Sequence, residues 1–275
     1  MQPQVIHSCF TAFKDTAPLV HNMTNDVAHN TVANILLAAG ASPAMVHDLN
    51  EAPEFVKLAA ALSLNIGTLT EPMLQSMLTT AEVAHTYHIP WILDPVAVGA
   101  TQFRQRACTE LLKLKPDVIR GNASEILALA GMHSRTKGTD SGDSVDRAKE
   151  AAQKLTQSAK VVVVTGAIDW VTDGNQSYSV DHGHPIMTQV TALGCALTAL
   201  IGGFIAANTS KTEDNKSNNG LLLNAATTAL CYYGQAGEIA ATTATGPGSF
   251  YVNFLDALYN LEVDTLVENS RVTRS

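Results

Sequence analysis

Four short stretches of this sequence carry groups suited to phosphate and metal chemistry. The first, Trp91-Ile92-Leu93-Asp94-Pro95, ends an apolar run in a carboxylate. An acid at that point can hold hydrated Mg²⁺, which takes one or two carboxylates together with phosphate oxygens. A turn-forming aspartate before proline is the competing reading. The second, Ile119-Arg120-Gly121-Asn122-Ala123-Ser124-Glu125, places a guanidinium, a turn and a helix start within seven residues. Arg120 offers phosphate oxygens a fork of donors. Asn122 and Glu125 have capping-box spacing for a helix running to Gly131, with Gly121 supplying the turn before it. Glu125 is also a candidate to join Asp94 at a metal. That Glu125 only caps its helix and Arg120 is only a solvated charge stays open. The third, Thr165-Gly166, offers a hydroxyl and a backbone free to approach a nucleotide closely. The fourth, Gly194-Cys195-Ala196, opens an apolar helix whose unpaired N–H groups favour anions. A cysteine there is expected to have a lowered thiol pKa.

These groups need a scaffold that brings distant segments to one edge. Short apolar runs at 19–21, 44–46, 62–66, 91–93, 118–119 and 161–164 alternate with helical patterns at 26–39, 72–86 and 145–157. That alternation predicts βαβ units and a mostly parallel sheet, along whose carboxyl edge ligands bind. Four consecutive valines at 161–164 fit a strand buried on both faces. Gly40 closes one helix, and Pro72 suits the first turn of the next. Residues 169–172 and 177–180, joined through Asp173-Gly174, read as a β-hairpin. From Gly194 onward the chain reads as all helical, ending in residues 250–261. Polar stretches at 134–144 and 209–219 read as exposed loops. The expectation is one domain over residues 1–275, without internal repeats.

Composition narrows the function further. A formal charge of −8 with scattered basic residues disfavours nucleic-acid binding, which needs a basic footprint. The apolar run 192–207 is shorter than the ~20 residues a bilayer needs, so a buried core helix is expected rather than a membrane span. Cys9, Cys108, Cys195 and Cys231 lie far apart and read as reduced thiols. With no secretory pattern at residues 1–17, a cytoplasmic protein is expected. Neither a P-loop nor a dinucleotide fingerprint is present, and there is no nucleophile-elbow serine. The histidines lack zinc-protease spacing, and His182 and His184 read as a surface turn. Phosphates would have to be held by a helix start, Arg120 and a metal.

The chain resembles the hydroxyethylthiazole kinase family of the ribokinase-like superfamily, over about residues 18 to 262. The resemblance rests on Met23-Thr24-Asn25-Asp26-Val27, Gly40-Ala41-Ser42-Pro43-Ala44-Met45 and Leu64-Asn65-Ile66-Gly67-Thr68. It continues through Leu93-Asp94-Pro95-Val96, Gly99-Ala100-Thr101, the stretch from Ile119 to Glu125, Gly194-Cys195-Ala196-Leu197 and Gly246-Pro247-Gly248-Ser249-Phe250. It implies an α/β ribokinase-like fold: a mostly parallel sheet flanked by helices, with a small hairpin extension and a helical C-terminal part. It implies ATP- and Mg²⁺-dependent phosphorylation of the alcohol of 4-methyl-5-(2-hydroxyethyl)thiazole by a homotrimer, with the thiazole near a subunit boundary. Met45, Asn25, Gly67 and Ala192 would then surround the thiazole, and Arg120 and Thr165 the ATP. Asp94 and Glu125 would serve the metal. Cys195, with Gly194, would stand where related sugar kinases place an aspartate base.

The sequence departs from the family pattern at two places. Ala192-Leu193-Gly194-Cys195 stands where the family usually shows Gly-Thr-Gly-Cys, and Thr165-Gly166-Ala167 where it often shows Thr-Gly-Glu. If position 192 needs positive φ, alanine there costs about 1 kcal/mol or more. The expectation is catalysis that is slower or tuned to a slightly different substrate, so that restoring glycine and threonine at 192 and 193 raises kcat/KM. A related kinase of another small alcohol such as hydroxymethylpyrimidine, and a thiazole- or nucleotide-binding protein weakened in turnover, are the alternatives.

Overall fold

The computed structural model describes residues 1–132, 141–209 and 215–275. In chain order its elements are α1 (Pro3–Thr16), β1 (Leu19–Met23), α2 (His29–Ala39), β2 (Ser42–Ala44), α3 (Ala52–Phe55), β3 (Ala61–Asn65), α4 (Glu71–Thr86), β4 (Trp91–Asp94), α5 (Gln102–Lys113), β5 (Val118–Asn122), α6 (Ala123–Leu129) and α7 (Ser141–Leu155). They continue with β6 (Val161–Thr165), β7 (Asp169–Thr172), β8 (Ser177–Val180), α8 (Leu193–Asn208), α9 (Asn215–Ala241), α10 (Pro247–Asn260), α11 (Val263–Glu268) and β9 (Val272–Arg274). All strands join one sheet in the order β2-β1-β3-β4-β5-β6-β7-β8-β9. The first six are parallel, and β7, β8 and β9 are added antiparallel. The expected α/β architecture with a hairpin extension is therefore the one observed.

Strand side chains alternate between two cores. Val20, Ile92, Val118, Val161 and Val163 pack with α1, α2, α8, α9 and α10 on one face. Leu62, Leu64, Leu93, Ile119, Val162 and Val164 pack with helices α4 to α7 on the other. A sheet covered on both faces explains why its strands read as continuous apolar runs rather than alternating ones. α8 is apolar all round because it lies in the first core, against β1, β3 and β4. Among the described residues no helix is long and apolar enough to cross a membrane.

Several boundaries differ from the sequence reading. β2 spans Ser42–Ala44 rather than 44–46, with Pro43 inside it. Proline is tolerated because β2 is the outermost strand and has no partner on its far side. α2 starts at His29, three residues later than expected. The loops expected at 134–144 and 209–219 lie partly outside the described residues, but 141–144 belong to α7 and 215–219 to α9. The stretch after Gly194 is not all helical: β9 returns to the sheet and pairs Val272 with Val180. Gly121 is not a turn; it lies within β5, paired with Val164, and the helix begins directly after Asn122.

Candidate active site

Because β1 to β6 run parallel, their carboxyl ends share one edge, and the candidate residues collect along it. Met45 follows β2, Asn25 follows β1 and Gly67 follows β3, while Asp94 ends β4, Arg120 is in β5 and Thr165 ends β6. Chain order reverses between β1 and β3, the place where open α/β sheets form a ligand crevice. Asn25 and Gly67 face each other there so closely that a Cβ on Gly67 would lie 2.8 Å from that of Asn25.

A buried polar network starts from Asp94. Its Oδ2 accepts Asn65 Nδ2 at 2.7 Å and the Thr198 hydroxyl at 2.9 Å. Asn25 Nδ2 donates to Asn65 Oδ1 at 2.9 Å and to Cys195 Sγ at 3.3 Å, and the Gly67 N–H donates to the same Asn65 oxygen at 3.0 Å. Asp94 Oδ1 is buried and has no hydrogen-bond partner among the described residues. Burial raises the Asp94 carboxyl to about 6, with the Arg120 charge opposing and the Glu125 charge adding to the shift. An acceptor left open in such a place is a natural ligand for a hard cation or a donor.

Cys195 lies in the first turn of α8, as the sequence indicated, but its thiol is not acidified. Burial raises its pKa and the Asp94 charge raises it further, outweighing the Asn25 and Asn65 side chains and the Arg120 charge, which lower it. The helix dipole is worth only about 0.3–1 kcal/mol at most exposed termini, too little to offset desolvation and a like charge together. The thiol therefore keeps its proton near neutral pH.

Glu125 completes the expected capping box with Asn122. Its carboxylate also accepts the Ala97 N–H at 2.9 Å, tying the turn after β4 to the start of α6. The cap is real, and the same carboxylate lies close enough to affect the charge on Asp94.

Beside this network opens a cavity of about 680 Å³ lined by Arg120, Thr165, Gly166, Asp169, Ala192 and Gly194, and by residues of the segment after β8. Arg120 is mostly buried; its Nη2 donates to Thr165 Oγ1 at 2.7 Å and its Nη1 stands 3.9 Å from Asp94 Oδ2. Ala192, grouped with the thiazole residues on sequence grounds, lines this cavity with Arg120 and Thr165. Its φ of 65° is left-handed, the conformation in which glycine is favoured. Asp169 was read only as a hairpin residue, yet it lines the cavity and accepts the Gly166 N–H at 2.9 Å. His182, read as a surface turn, is buried in the cavity wall, and only its place in the fold reveals that.

An open cavity with Arg120 and a helix start at one end, next to a carboxylate with a free oxygen, can bind a phosphate chain and stabilise charge moving along it. The fold is ribokinase-like: pyridoxal kinase from Staphylococcus aureus, solved with AMP-PCP and pyridoxal, aligns at a TM-score of 0.54 and 16% identity over 80% of this chain and 87% of that one, a likeness of fold alone. The profile of the Hydroxyethylthiazole kinase family matches residues 10–264, and the chain belongs to that family. It is 64% identical over 273 residues to the hydroxyethylthiazole kinase of Psychrobacter sp. (strain PRwf-1), covering 99% of each chain. It is 52% identical to that of Cereibacter sphaeroides (strain ATCC 17023), covering 93% of this chain and 94% of that one. The solved hydroxyethylthiazole kinase protein of Pyrococcus horikoshii OT3 aligns at a TM-score of 0.87 and 37% identity, over 99% of each chain.

Proposed function

We propose that this protein transfers the γ-phosphoryl group of ATP to the primary hydroxyl of 4-methyl-5-(2-hydroxyethyl)thiazole. The observation that carries this reading is the adjacency of two sites: the crevice of Asn25, Gly67 and Cys195, and the cavity of Arg120 and Thr165, joined through Asp94. In this reading the thiazole lies by Met45, Asn25 and Gly67, and the nucleotide phosphates lie against Arg120, Thr165 and the Gly194 N–H. Ala192 borders both ligands at the start of α8.

The residues fit a divalent ion held mainly by phosphate. Among the described residues no group of three or more His, Cys, Asp or Glu is placed to hold an ion by itself. Mg²⁺ usually takes only one or two carboxylates beside phosphate oxygens and water, which Asp94 Oδ1 and Glu125 can supply. Bound there, the ion would neutralise charge on the transferring phosphoryl group.

Phosphoryl transfer depends chiefly on positioning and charge stabilisation. The Gly194 N–H at the start of α8 and the Arg120 guanidinium are fixed donors facing the space where charge develops, and one such donor is worth roughly 3–4 kcal/mol. Cys195, holding its proton, acts as an orienting neighbour of the hydroxyl, steadied by Asn25, rather than as a pre-ionised base. We further propose a cytoplasmic homotrimer with the thiazole near a subunit boundary. The exposed Val27 and Leu49, close in sequence to Asn25 and Met45, support that arrangement, and light scattering on the eluting protein tests it.

ADP release measured with ATP and Mg²⁺, with and without the thiazole alcohol, tests the activity. Release that requires the alcohol is expected. Release driven instead by hydroxymethylpyrimidine would assign another alcohol, and ligand-induced thermal stabilisation without any ADP release would leave a binding protein.

A further inference from the structure

The family match ends at residue 264, yet the residues after it reach back to the cavity. β9 pairs with β8 at the edge of the sheet, and Arg271, just before β9, brackets the start of the segment 182–189. The Arg271 N–H donates to His182 Nε2 at 2.9 Å, so Nδ1 carries the proton of the neutral ring and faces the Glu238 carboxylate at 3.3 Å. Glu238 also accepts the Gly183 N–H at 3.0 Å and the Arg271 guanidinium. Arg271 Nε donates to the Asp181 carbonyl at 2.7 Å, and the Asp181 N–H donates to the Arg271 carbonyl at 3.0 Å. Three hydrogen bonds thus tie Asp181 and His182 directly to one arginine, and Glu238 relays a further link from its guanidinium to Gly183.

On its other side the segment is pressed flat on α9. A Cβ on Gly234 would lie 2.4 Å from His182 Cβ, and one on Gly237 would lie 2.5 Å from Met187 Sδ. His182, Gly183, His184 and Met187 face the cavity. One wall of the cavity is therefore gripped between a core helix and an edge strand. Of these two supports the edge strand is the less secure, since edge elements with few buried contacts open at low free-energy cost.

We infer that Arg271 and β9 form a positioning element for nucleotide binding: seated on β8, they hold the 182–189 wall against α9 and so set the shape of the cavity. The inference rests on the nucleotide reading of that cavity. Arg271 touches neither reacting atom, so its effect is on nucleotide affinity and not on the thiazole crevice at the far side of Arg120.

Calorimetric titration with ADP and, separately, with the thiazole alcohol tests this on the intact chain, a chain ending at Ser270, and Arg271→Ala. The shortened chain is expected to bind ADP about tenfold more weakly, as a loosened wall must be ordered on binding, and Arg271→Ala about threefold more weakly. Affinity for the alcohol should stay within about twofold, and Arg271→Ala carries the comparison if the shortened chain does not fold. Unchanged ADP affinity in a folded variant overturns the inference alone. Parallel loss of both ligands with a fallen Tm also overturns it, since that marks a merely structural role. Failure of the intact chain to bind ADP overturns the nucleotide reading as well.

Discussion

Around Asp94, nearly every polar atom is committed to another: Thr198, Asn65, Asn25 and Cys195 form one buried chain of hydrogen bonds, with Asp94 Oδ1 left open. In the neighbouring cavity the space is open, and one wall is the segment 182–189, held by packing on α9 and by Arg271. Buried networks transmit any defect, because each lost partner leaves another group unsatisfied in a low dielectric. A cavity wall can shift with less cost. Substitutions in the network should therefore alter turnover, whereas those in the wall should alter nucleotide affinity.

The largest effect is expected from Asp94→Asn. Loss of the carboxylate should lower kcat by about 10²–10³-fold, the scale found for removing one transition-state stabiliser. Stability should move the other way. The folded-state pKa of Asp94, about 6, lies above its ordinary 3.8, so the fold favours the neutral acid. That contribution is full below pH 4 and is lost as pH rises through 6. Asparagine stays neutral throughout. In metal-free protein the Tm of the variant relative to the parent should thus rise between pH 4 and pH 7, as thermal scans at both values would show. A variant that loses activity and Tm together at pH 7 would place Asp94 in the scaffold instead.

Arg120→Ala should come next, lowering kcat/KM for ATP by roughly 10²-fold in steady-state assays. The guanidinium pairs with both Thr165 and Asp94, so it joins the two regions. If only Tm changed, that joining role would be wrong. Cys195 sharpens the contrast from the chemical side. Because its thiol pKa is raised, iodoacetamide should label it slowly at pH 7.5 by mass spectrometry, and Cys195→Ser should retain activity within about tenfold. Rapid labelling would mean an ionised thiol. The smallest effect is expected at Ala192, on the cavity's edge at the start of α8: Ala192→Gly should relieve about 1 kcal/mol of left-handed strain and raise Tm by about 2–4 °C.

What the sequence discloses follows the range of the interactions. The valine strand at Val161–Thr165, the capping box of Asn122 and Glu125, and the Asp-Gly hairpin are decided by neighbours within a few residues, and each was legible. So was the gathering of Asp94, Arg120 and Thr165, since parallel strands oblige their carboxyl ends to meet. α5 was not recognised, although Thr101 caps it, because its sequence is largely polar and buries only Ala107, Cys108 and Leu111. β9 is three residues long and exists only by pairing with β8, distant in the chain. The Cys195 thiol was misjudged for the same reason. Its helix start is local, but the burial and the Asp94 charge that dominate come from the tertiary fold. Asn65 lies within a quoted motif and Thr198 directly after one, but neither carries a signal of its own for holding Asp94.

A structure with AMP-PCP, Mg²⁺ and the thiazole alcohol bound together would test the central claim most directly. The alcohol oxygen should lie about 3–3.5 Å from the γ-phosphorus, the distance of a near-attack arrangement. It should sit between Asn25 and Cys195, with the γ-phosphate on the Gly194 N–H and Arg120. An alcohol bound elsewhere, or phosphates turned away from the start of α8, would contradict the account.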